Sequence, residues 1–93
     1  MDDISVTIRE NLEMTIDPVS IFSATHTDVC PITGTLKDEG CGNAYSGNGI
    51  TMSGSTISMT MNEPETKTVC LEFTNGQDTK TLNQVIVATC PLL

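Results

Sequence analysis

Ile4-Ser5-Val6-Thr7-Ile8-Arg9-Glu10-Asn11-Leu12-Glu13-Met14-Thr15-Ile16 alternates in polarity with one break. Its even positions are aliphatic or Met except Glu10, and every odd position is polar. Period two is the signature of a strand with one buried face, because successive side chains point to opposite sides of a sheet. The stretch reads as one long strand broken at Glu10, or as two strands around Glu10-Asn11.

The same period recurs downstream. Val19 to Thr25 is an apolar, β-branched run after Pro18, and a short strand is expected near Ile32 to Leu36. Ile50 to Met52 and Thr56 to Met61 follow, the latter with Ile57, Met59 and Met61 on one face. Thr66 to Thr74 places Val69, Leu71 and Phe73 together. Thr81 to Cys90 returns, and Val85-Ile86-Val87 is apolar on both faces, as a central strand requires. Asn75-Gly76 between two alternating runs predicts a two-residue hairpin turn, which would place Thr74 opposite Gln77 and Cys70 opposite Thr81. Seven serines and fifteen threonines fit strands better than helices. The expected fold is all-β: an antiparallel β-sandwich, immunoglobulin-like or similar, of six to eight short strands. Residues 1–93 are expected to form a single domain, one that could serve as a module of a longer extracellular protein.

With only 93 residues, a hydrophobic core needs a supplement. Cys30, Cys41, Cys70 and Cys90 supply one, and an even cysteine count in a short chain reads as two disulfides. Three pairings are open. Loop closure favours Cys30–Cys41 with Cys70–Cys90, although the hairpin register is in tension with the second. No Cys-x-x-Cys occurs, so zinc, haem-attachment and thioredoxin-like readings fail.

Twelve acidic residues face four basic ones, for a net charge of −8. Arg9, Lys37, Lys67 and Lys80 are scattered, so nucleic acid and anionic lipid find no basic patch. No apolar run approaches membrane-spanning length, so no membrane insertion is expected. Met1-Asp2-Asp3 lacks the positive charge of a secretory leader. No Asn-x-Ser/Thr sequon is present.

Catalytic candidates are few. His26 with Asp28 could be placed in a nucleophile triad, but no Gly-x-Ser-x-Gly elbow accompanies them. Acid pairs at Asp2-Asp3, Asp38-Glu39 and Glu63/Glu65 read as solvated turn charges rather than glycosidase carboxylates. The metal candidates are oxygen ligands for calcium, Asp28, Asp38, Glu39 and Asn43, in a loop without the EF-hand pattern. No other cofactor is expected. Thr51, Ser53, Ser55, Thr56, Ser58 and Thr60 form a hydroxyl-rich stretch that suits O-glycans or a flat binding face, and strand propensity explains it equally well.

The N-terminal alternation resembles the donor strands of subunits that polymerise by inserting a strand into a neighbour. Two function classes follow. The first is a non-enzymatic extracellular or cell-surface structural and adhesive module, self-assembling through edge or N-terminal strands. Its partners would be protein or glycan surfaces, including copies of itself. The alternative is a small secreted ligand-binding or inhibitor domain acting through the Cys30–Gly49 loop.

Overall fold

A computed structural model describes residues 3–17 and 31–91. The chain is all-β, with seven strands and no helix among the described residues. The strands are β1 (Ile4–Thr7), β2 (Leu12–Thr15), β3 (Thr33–Asp38), β4 (Ile50–Ser53), β5 (Thr56–Met59), β6 (Glu65–Thr74) and β7 (Thr79–Thr89). They form a four-stranded sheet in the order β1-β7-β6-β3 and a three-stranded sheet in the order β2-β5-β4. The expected strand over Val19 to Thr25 lies outside the described residues.

The period-two pattern now has its physical partner. Val69, Leu71 and Phe73 of β6 and Ile86 of β7 are fully buried. They share one core with Ile50, Ile57, Met59 and Met61 of the other layer, and with Ile4 and Val6 of β1. Two sheets over a common core make a sandwich. Seven-strand immunoglobulin sandwiches divide into A-B-E-D and C-F-G. Here β2-β5-β4 matches B-E-D, and β7-β6-β3 matches G-F-C.

The first strand departs from that scheme and from the expected all-antiparallel arrangement. β1 pairs with β7 in parallel, Ile4 opposite Ile86 and Thr7 opposite Thr89. The N-terminal alternation is therefore two strands, one in each sheet. Between them the chain turns within a few residues, with the Glu10 N–H donating to the Thr7 carbonyl at 3.1 Å. Arg9 occupies the third position of that turn with φ 68°. A positive φ there is the requirement that normally selects Gly or Asn. β1 serves its own sheet, and β7 is flanked on both sides, as its two apolar faces imply.

A second correction concerns the hairpin. Thr74 pairs with Thr79, so the β6–β7 connection has four residues rather than two, and Cys70 lies opposite Asn83. Asn75 is the reason. Its Oδ1 accepts the N–H groups of Gln77 at 2.9 Å and Asp78 at 2.7 Å, a side-chain-capped turn that competes with the tight hairpin. Gly76 still takes a positive φ of 90°. The two-residue hairpin is instead at Gly54-Ser55, between Ser53 and Thr56, with Gly54 at φ 61°.

Candidate functional site

β6 carries the features that link core to surface. Its odd positions face the core and its even positions face outward. Cys70 is an even position and is nonetheless fully buried. Cys41 covers it, in a disulfide with a Cα–Cα distance of 5.3 Å. The sequence-based pairing of Cys30–Cys41 with Cys70–Cys90 is thus incorrect. It weighed loop length, whereas the decisive quantity is which cysteines the fold brings within bonding distance. Gly40 at φ 87° and Cys41 at φ 63° turn the chain back after β3. The Cys41 N–H donates to the Asp38 carbonyl at 2.9 Å, and Ala44 pairs with Lys37. The returning segment thus lies along the margin of β3, and its tip is tied down onto the outer face of the sheet. Cys90 is exposed and carries no disulfide, and Cys30 lies outside the described residues.

The topology sets Pro31 and Cys90 apart. Pro31 precedes β3 at the end of the sheet where β6 finishes. Cys90 follows β7 at the end where β6 begins. The length of β6 separates those ends by roughly 30 Å at the usual rise per residue.

The same returning segment delivers Tyr45 to one end of the sandwich. Lys67 sits at a core-facing position of β6, but beyond the last buried residue its side chain meets polar groups. Its Nζ donates to the Tyr45 hydroxyl at 3.2 Å and to the Asn48 carbonyl at 3.5 Å. It also pairs with Glu65 at 3.6 Å and lies 5.9 Å from the Tyr45 ring centroid. The Tyr45 oxygen, more than Glu65, holds the Lys67 ammonium above the usual lysine range, against the opposing effect of partial burial. Beside it lies an open pocket of about 270 Å³, lined by Asn48, Gly49, Thr60, Met61, Glu63 and Glu65 among others. Each group that Lys67 touches belongs to this same fold. The cluster therefore reads as a clamp that fixes the loop after β3.

Part of the hydroxyl-rich stretch shares one face of β2, β5 and β4. On the outer face of the three-stranded sheet, Glu13, Ser58 and Thr51 lie side by side, as do Thr15, Thr56 and Ser53. Thr15 and Thr56 share a hydrogen bond of 3.1 Å, and the Asn11 amide donates to Ser58 and Thr60 at 2.9 Å each. This face is polar and contains no basic or aromatic residue among those described.

Among the described residues the metal candidates are not assembled. His26 and Asp28 lie outside the described residues. Asp38 ends β3 and Glu39 and Asn43 belong to the turn after it, where the Asp38 N–H donates to the Asn43 carbonyl at 2.9 Å. Among the described residues no three His, Cys, Asp or Glu side chains converge to hold a metal ion. No helix among them is long and apolar enough to cross a membrane. Sequence reasoning missed the Tyr45–Lys67 contact, which joins residues 22 apart and has no local pattern. It also missed Arg9, whose type gives no hint of a left-handed conformation.

These features define a class: an all-β, two-layer domain with one sheet tied to its own loop by a disulfide. No protein-family model matches the sequence, and no curated protein matches it.

Proposed function

We propose that this chain is a non-enzymatic extracellular interaction module, structural or adhesive, that works through its sheet edges and outer faces. One observation carries the reading. Among the described residues the layer edges are β1 and β3 in one sheet and β2 and β4 in the other, and one of them, β1, is held by a single parallel neighbour. Edge strands offer backbone donors and acceptors to another chain. The Cys41–Cys70 disulfide suits an oxidising, extracellular setting. Partners in this reading are protein or glycan surfaces and copies of the chain.

The Cys41–Cys70 tie favours a second reading, a small ligand-binding or inhibitor domain acting through the loop that ends at Gly49. A tethered loop loses less conformational entropy when it binds. A light-scattering series in protein concentration separates the two. Growth in mass with concentration supports the interaction module. A strict monomer at every concentration supports the loop reading.

A further inference from the structure

We infer that residues 3–8 exchange between copies, the β1 strand of one chain pairing with β7 of another. The inference rests on the interaction-module reading and names its partner, a second copy of this chain.

Among the described residues the segment is attached by a short ladder, two buried side chains and the partly buried Ile8 packed against the same core, all of them transferable. The ladder runs from Ile4 to Thr7 along Ile86 to Thr89, and the Ile8 N–H extends it by donating to the Thr89 carbonyl at 3.0 Å. Parallel pairs are slightly less stable per residue than antiparallel ones. The anchoring side chains are Val6, 1% exposed, and Ile4, 5% exposed, and both belong to the shared core. Were β1 to leave, the core would open along β7. The chemistry that refills that site is a strand with aliphatic residues two apart, entering parallel to β7. A second copy's β1 meets every one of those requirements.

The hinge supplies the bias. Thr7 to Glu10 must reverse the chain and switch sheets, which forces Arg9 to φ 68°. The left-handed region is unfavourable for a residue with a Cβ. In the exchanged form the hinge runs on between two copies and Arg9 returns to extended backbone. Exchange breaks the hinge hydrogen bonds, from Glu10 to Thr7 and from Arg9 to Met61. Arg9, Glu10 and Asn11 lie at the surface, so water replaces the partners of the Arg9 and Glu10 N–H groups, while the carbonyl of buried Met61 gives up its donor. The ladder and core contacts described for β1 are the same in the two forms. Short hinges under strain favour this kind of exchange.

The test uses register. Ser5 and Val87 are opposed on the outer face, so a disulfide between them reports β1 on β7. One full-length chain carries Ser5→Cys and another Val87→Cys. The two are mixed at high concentration, incubated, oxidised and digested without reduction. A peptide joining position 5 to position 87 can arise only between chains. Thr7→Cys with Thr89→Cys repeats the measurement at the neighbouring outward pair. The expected result is that the joined peptide appears. Its yield should fall about tenfold with Arg9→Asn, which tolerates the left-handed region, and rise with Arg9→Val, which tolerates it worst. A joined peptide indifferent to residue 9 overturns the hinge as its cause. Self-association without the joined peptide at either pair overturns the exchange and leaves the interaction module standing. A chain that remains monomeric throughout overturns both.

Discussion

Cys41 meets Cys70 on the outer face of the four-stranded sheet, not inside the sandwich. Cys70 is buried because the turn after β3 folds over it, and the neighbours of Cys70 along β6, Val69 and Leu71, are buried because they face the core. One strand is thus sealed on both sides by different means. Non-reducing peptide mapping should recover the Cys41–Cys70 pair. The bond closes a sequence separation of 29 residues, for which chain entropy gives roughly 3–4 kcal/mol. Cys70→Ser should therefore lower the urea midpoint by a corresponding amount. Recovery of Cys70 joined to Cys90 would refute the assignment.

The opposite ends occupied by Pro31 and Cys90 lead to a second expectation. A peptide step reaches only about 3.8 Å, and a disulfide needs Cα atoms within about 7 Å. Cys30 and Cys90 of one copy should not pair while β3 and β7 keep their places. Mass spectrometry of a freshly prepared, dilute monomer should find two alkylatable thiols after denaturation. A single-chain peptide joining Cys30 to Cys90 would contradict the strand order.

Gly34 has a role that its backbone angle does not reveal. A Cβ there would stand 2.6 Å from the Gly54 carbonyl and 2.9 Å from the Phe73 ring. The glycine lets the β4–β5 turn approach β3. Gly34→Ala should cost on the order of 1–3 kcal/mol by overpacking. At Gly76 space is open, but φ is 90°, so Gly76→Val should cost about 1–3 kcal/mol through strain alone. Chemical denaturation of both variants measures the two effects. An unchanged midpoint for Gly34→Ala would mean that the layers are further apart.

Lys67 predicts an alkaline effect. Its folded pKa is raised above the ordinary 10.5, with the Tyr45 oxygen the main cause. A cation favoured in the folded state contributes stability that is fully present below the unfolded pKa and is lost as pH rises through the folded one. The stability gap between the wild type and Lys67→Met should be small, below about 1 kcal/mol for so accessible a group, and constant through neutral pH. It should close above pH 10.5. A gap that widened there would reverse the assigned sign.

Val6 and Thr7 are adjacent and opposite in fate. Val6 is 1% exposed in the core, and Thr7 is half-buried on the other face. Val6→Asp buries a carboxylate among aliphatic side chains and should destabilise by several kcal/mol, enough to unfold a small domain. Thr7→Asp should cost under about 1 kcal/mol. Thermal melts of the pair decide, and equal tolerance would remove β1 from the core.

The sequence alone determined whatever depends on local pattern. Alternation made Ile4–Ile16, Thr66–Thr74 and Thr81–Cys90 strands, and it assigned Val69, Leu71 and Phe73 to one buried face. Side-chain direction along a strand is a two-residue property and needs no partner to be read. The need for a disulfide was equally legible, because chain length and cysteine count set it. Tertiary structure decided what depends on pairing. Glu10 marked a break, but only the parallel ladder on β7 shows that the halves on either side belong to different sheets. Asn75-Gly76 announced a turn, but its length followed from the Asn75 side chain capping two backbone N–H groups. Cys41 found Cys70, and Tyr45 found Lys67, because β3, its returning loop and β6 lie side by side. Such contacts join residues far apart in sequence, and no periodicity along one strand specifies which strand will lie next to it.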